Sequence, residues 1–121
     1  MTVGWFEIPV NSMTRAKAFY EAVFKVEVKE VDFGGLKMGW FPHQEGDRGA
    51  TGTLIKQESY VPCQDGTLVY FTSEDVQNEL DRVEAAGGKI YQGKTKISDE
   101  HGYMGVFIDT EGNRVALHSN A

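Results

Sequence analysis

Few side chains in this 121-residue chain have the types that do chemistry, and they are scattered. There are three histidines, His43, His101 and His118, and a single cysteine, Cys63. One cysteine excludes an internal disulfide. In the loop-like "VPCQDG" it reads as a surface thiol, since a nucleophile needs a base beside it. His43 and His101 stand in the polar, glycine-flanked stretches "FPHQEGDRG" and "SDEHGYM", where solvation is expected. His118 is different. It closes "DTEGNRVALHS", a turn followed by an alternating apolar run. There it is either a strand-end imidazole bonded to a neighbour, or a ligand contact or general acid/base working in the useful pKa range. Glu7 is the other unusual group. It lies inside the apolar run "WFEIPV", where burying its charge is costly unless it is paired. It is either a structural carboxylate meeting Arg114 or a backbone amide, or an acid or base facing a ligand.

Composition narrows the partners. Twelve basic and eighteen acidic residues give a net charge of −6. Nucleic acid, whose phosphates need clustered lysine and arginine, is therefore not an expected partner. Apolar residues make up 40% and charged residues 25%, as in soluble globular chains. The length suits one domain with a real core. No apolar run approaches membrane-spanning length and no signal pattern opens the chain, so the cytoplasm is the expected compartment.

The elements that must position these groups follow from periodicity. "GWFEIPV" alternates and reads as a strand, and Asn11 or Ser12 caps a helix over "TRAKAFYEAVF". "VEVKEVDF", "GLKMGWFP" and "GATGTLIKQ" read as three further strands. The pattern then restarts. "GTLVYFT" is a strand, "SED" offers a cap, and "VQNELDRVEAAGG" is a helix stopped by Gly87-Gly88. "KIYQGKTKI", "YMGVFID" and "RVALHS" follow as strands, the last two joined by a hairpin at Gly112-Asn113. The order β-α-β-β-β thus occurs twice, with "SYVPCQDG" as the only joint. An α+β domain over residues 1–121 is expected, with module one at about 1–58 and module two at about 66–121.

The stretches "FEIPVNSMTRAKAFYEAVF", "LVYFTSEDVQNELDRVEAAGGKI" and "GVFIDTEGNRVALHS" resemble the vicinal oxygen chelate superfamily, which includes glyoxalase I, bleomycin-resistance proteins and extradiol dioxygenases. The resemblance covers most of the chain. It implies paired βαβββ modules that form a cup-shaped curved sheet with helices on the outside. It also implies a divalent metal in the cup, held by one His or Glu from the first and last strand of each module. Carried across, those positions fall at Trp5, within Gly52–Leu54, at Leu68 and at Ala116. Indole, leucine and alanine have no donor for a divalent ion, so no metal or other cofactor is expected.

Alternation places the same positions on the helix-averse faces. The expected cup is lined by Trp5, Glu7, Leu68, Tyr70, Thr72, Ala116 and His118. Trp40 or Met38 joins them, although "KMGWF" is apolar on both parities. Glu7 and His118 are expected to lie close enough to share a hydrogen bond, directly or through one water. The leading functional expectation is metal-free binding of a small molecule, with Trp5, Trp40, Leu68, Tyr70 and Ala116 as contacts. The alternative is an enzyme of isomerase, lyase or dioxygenase type, with Glu7 and His118 as catalytic groups and with or without a metal in an altered ligand set. A third is a structural module with a vestigial cup. A homodimer is expected, because exposed sheet edges tend to be covered.

Overall fold

The computed structural model describes residues 1–121, apart from the side chain of Phe33. Module one comprises β1 (Phe6–Pro9), α1 (Met13–Phe24), β2 (Lys29–Phe33), β3 (Leu36–Trp40) and β4 (Gly52–Lys56). Module two comprises β5 (Tyr70–Thr72), α2 (Val76–Val83), β6 (Lys89–Ser98), β7 (Gly102–Ile108) and β8 (Arg114–Ser119). The sheets have orders β1-β4-β3-β2 and β5-β8-β7-β6, so the repeat read from the sequence is a repeat of topology. In each, the first strand runs parallel to the last and the other pairs are antiparallel. This is the expected α+β pairing of βαβββ modules, each sheet backed by a helix.

Local chemistry sets the helices. Ser12 caps α1, its Oγ accepting from the Arg15 amide at 3.2 Å. Asp75 caps α2 by accepting from the Gln77 amide at 2.9 Å. These side chains satisfy donors that have no partner inside the helix. α1 buries Met13, Ala16, Phe19, Tyr20 and Val23, a stripe at helical spacing. α2 buries Val76, Leu80 and Val83. Its regular helix ends at Val83, short of the expected stop, and the Gly88 amide folds back onto the Val83 carbonyl at 2.9 Å.

Ile8 and Leu54 from the first sheet, with Val10 and Val28 flanking its strands, meet both helices and Phe107, Val115 and Leu117 from the second sheet in one apolar cluster. Burial of these side chains stabilises each by about 1.5–3 kcal/mol relative to exposure. The helices therefore lie on the buried side of each sheet, opposite the faces left for a ligand. One element is shorter than expected. The sequence predicts the fifth strand over 66–72, but it forms only at Tyr70–Thr72, with the Ala116 amide already bonding the Val69 carbonyl at 2.9 Å. Leu68 lies ahead of it.

Candidate ligand site

On the first sheet, register resolves the parity that the sequence left open. Trp40 pairs with Thr53 and Met38 with Ile55, while Gly39 pairs with Leu54. Gly39 points at the helix layer, where an added Cβ would stand 2.9 Å from Val28 Cγ1 and 3.0 Å from Met13 Sδ. A side chain at that point would have to push Val28 or Met13 aside. Met38 and Trp40 thus both take the opposite face. There the Trp5 and Trp40 rings meet edge-on, with centroids 5.7 Å apart. The two indoles are 41% and 37% exposed, so they form an open aromatic wall above buried Thr53 and Ile55.

On the second sheet, Tyr70 pairs with Ala116, which pairs with Val106. Thr72 pairs with His118, which pairs with Met104. These residues share the helix-averse face, since Leu117 between them is in the core. Tyr70 is half exposed and Ala116 fully buried. His118 Nε2 lies 2.6 Å from the His101 carbonyl oxygen. A carbonyl only accepts, so Nε2 carries the proton in this contact, and Nδ1 is the ring nitrogen left for another partner.

The direct hydrogen bond expected between Glu7 and His118 is not formed among the described residues. His118 Nε2 is committed to His101 at the far end of β8. Glu7 instead lines a cavity of about 360 Å³ with Arg114 and Cys63, at the other end of that strand. Both groups keep their expected faces, but same-face neighbours on different strands can be several residues apart along the sheet. Of the other histidines, His43 sits 3.8 Å from Asp47 and the His101 amide bonds Ser98 Oγ.

The residues at the four positions assigned by resemblance to a metal do not fit one. Trp5 and Leu68 present carbon or a non-basic ring nitrogen, and Ala116 presents a methyl group. Thr53 Oγ1 is within hydrogen-bond reach of the Gly39 and Leu54 carbonyls, at 2.9 and 2.8 Å. Among the described residues, no group of three or more His, Cys, Asp or Glu side chains could hold a metal ion.

The densest polar chemistry lies at the module seam, and sequence reading missed it. Glu111, buried in the β7–β8 turn, accepts from the Asn11 and Ser12 amides, both at 2.8 Å, and from Arg15 Nε at 2.7 Å. Burial pushes the Glu111 carboxyl up, but bonds from Arg15, Ser12, Asn11 and Thr110 outweigh it and hold the group below its ordinary value. Tyr20 Oη donates to Asp109 Oδ2 at 2.7 Å. Burial, then the Asp109 charge, drives the phenol well above its usual range. The sequence signal was an acidic pair in "DTEGN", which read as turn chemistry alone.

Comparisons with known proteins place this geometry. A family model described as Glyoxalase/Bleomycin resistance protein/Dioxygenase superfamily matches residues 2–117. No curated protein sequence matches the chain. Among solved structures, a glyoxalase/bleomycin resistance protein from Albidiferax ferrireducens T118 superposes with a TM-score of 0.72 at 14% identity, covering 98% of each chain. Glyoxalase I from Zea mays gives 0.72 at 18% identity over 96% of this chain and 45% of the maize chain. This chain therefore spans less than half the length of that enzyme. A glyoxalase-related enzyme from Fulvimarina pelagi gives 0.72 at 12% identity, covering 99% of this chain and 88% of its own. Identities this low speak for the fold, and the family model speaks for descent: the chain belongs to the glyoxalase/bleomycin resistance protein/dioxygenase superfamily, the vicinal oxygen chelate group.

Proposed function

We propose that this protein binds a small molecule on the helix-averse sheet faces without a metal at the superfamily positions. The Trp5–Trp40 wall carries the reading. Two indoles standing where relatives hold a metal ligand and its surroundings suit a flat apolar body better than a chelating one. Tyr70 and His118 on the second sheet supply the polar contacts, with His118 Nδ1 as acceptor for a ligand donor. Elemental analysis of the purified protein, beside a thermal-shift ligand screen, tests this. We expect no stoichiometric zinc, nickel, manganese or iron, and stabilisation by aromatic ligands that His118→Ala weakens without unfolding the chain. A stoichiometric metal lost on substituting these faces sinks the reading.

A homodimer belongs to the same proposal. Trp5 and Trp40 on the first sheet and Tyr70 on the second are large apolar side chains left exposed. Exposed apolar side chains of this kind favour an interaction surface, and a second copy laid over them would enclose a ligand that one open sheet cannot. Light scattering at micromolar concentration should give twice the chain mass, and a monomer mass refutes the pairing. Among the described residues, no helix is long and apolar enough to cross a membrane. The exposed free thiol of Cys63 suits a reducing compartment, so the cytoplasm is the proposed location.

A further inference from the structure

A second concavity lies away from the Trp5–Trp40 wall, on the helix side of the molecule. Phe6 from β1, Phe24 from α1, Phe41 after β3 and Phe71 from β5 surround a cavity of about 370 Å³. The rings hold one another: Phe24–Phe71 centroids are 5.0 Å apart, Phe6–Phe71 5.6 Å and Phe41–Phe71 5.7 Å. All four are only partly buried, although each packs against the core. Apolar rings that stop short of closing over one another leave a surface where an aromatic body gains contacts and loses water.

The mouth is polar and its charges are unequally engaged. Asp47 accepts from the Gln44 amide at 2.8 Å and faces His43 at 3.8 Å. Arg48, beside it at the same mouth, makes no hydrogen bond or ion pair among the described residues. A guanidinium with five free donors over an aromatic pit recognises a planar anion attached to an apolar ring.

We infer that the pocket between Phe6, Phe24, Phe41 and Phe71 binds a small aromatic anion, a one- or two-ring body carrying a carboxylate that meets Arg48. The site is separate from the sheet-face site proposed above and stands or falls without it, since neither tryptophan lines it. The volume lies at the lower end of known ligand pockets, which suits a bicyclic ring.

Two probes test it, 2-naphthylacetate and the uncharged 2-naphthaleneethanol, followed by NMR titration. Both should bind saturably, with contacts from the naphthyl protons to the phenylalanine rings. Arg48→Gln should weaken naphthylacetate about three- to fivefold, as for an exposed ion pair, and leave the alcohol unchanged. Ala50→Phe, which fills the pocket from its rim, should weaken both probes at least tenfold. Should that variant not fold, the ring contacts in the unsubstituted protein decide. Absence of saturable binding, contacts to Trp5 or Trp40 in place of the phenylalanines, or equal loss of both probes in Arg48→Gln overturns the inference.

Discussion

The two modules differ most at one equivalent place, the connection between their third and fourth strands. In module two this is the tight Asp109–Asn113 turn. Asp109, Glu111 and Asn113 are buried there: Asp109 receives the Glu111 and Asn113 amides at 2.8 and 2.9 Å, and Asn113 Nδ2 donates to the Pro9 carbonyl at 2.7 Å. Gly112 takes φ 93°, a left-handed turn that favours glycine. In module one the same connection runs from Phe41 to Thr51. Its polar residues bond mainly to one another and it frames the phenylalanine pocket. The duplicated topology has thus been used twice in different ways, once as a latch between modules and once as the rim of an opening. Topology fixes where a loop stands, and the polarity and length of the loop decide what it does.

Breaking the latch should have the largest effect. Glu111→Ala removes the acceptor for two backbone amides and the Arg15 guanidinium at the start of α1. Orphaned, partly buried donors cost about 1–3 kcal/mol each, so a loss of about 3 kcal/mol is expected. Calorimetry should show the melting midpoint lowered by roughly 10 °C. A change under about 2 °C would mean that water replaces the carboxylate and that the latch carries little.

Tyr20→Phe is next. It removes one buried hydrogen bond to a charged partner, Asp109, with no change of shape. A loss of about 2 kcal/mol is expected, from chemical denaturation with an unchanged slope. Acid should reveal the Glu111 contribution separately. Its folded-state value is lowered, so its stabilisation is complete above the ordinary carboxylate range and disappears as pH falls through the folded value. The melting midpoint of Glu111→Gln should start lower at neutral pH and converge on that of the unsubstituted protein in acid. Parallel curves would assign the acid loss to other carboxylates.

How far the sequence could carry this reading depends on the range of each interaction. Alternation and helical spacing are local, so element order, the inward stripe of α1 and the outward face of His118 were legible. The tie between Glu111 and Ser12 spans 99 residues, and nothing in "DTEGN" indicates its partner. The Phe71 pocket draws on four elements for the same reason. Glu7 and His118 were read from parity, which gives a side chain its face but not its place along the sheet. Gly39 shows the reverse case. Parity was silent in "KMGWF", and close approach of Val28 and Met13 decided it.

The rim should respond least to substitution in stability and most in ligand preference. Asp47 is half exposed, and its contacts are with the neighbouring Gln44 amide and His43. Solvent-exposed pairs contribute about 0.2–1 kcal/mol, so Asp47→Ala should cost under about 0.5 kcal/mol, far below Glu111→Ala at the equivalent connection. The same substitution removes a negative charge next to Arg48 at the pocket mouth. Naphthylacetate binding should then strengthen about twofold at low salt, while naphthaleneethanol is unaffected, and added salt should erase the gain. If Asp47→Ala destabilises the protein as much as Glu111→Ala, the rim is also a latch and the contrast between the two connections is lost. If stability holds and both probes strengthen together, the effect is reshaping of the loop and not its charge.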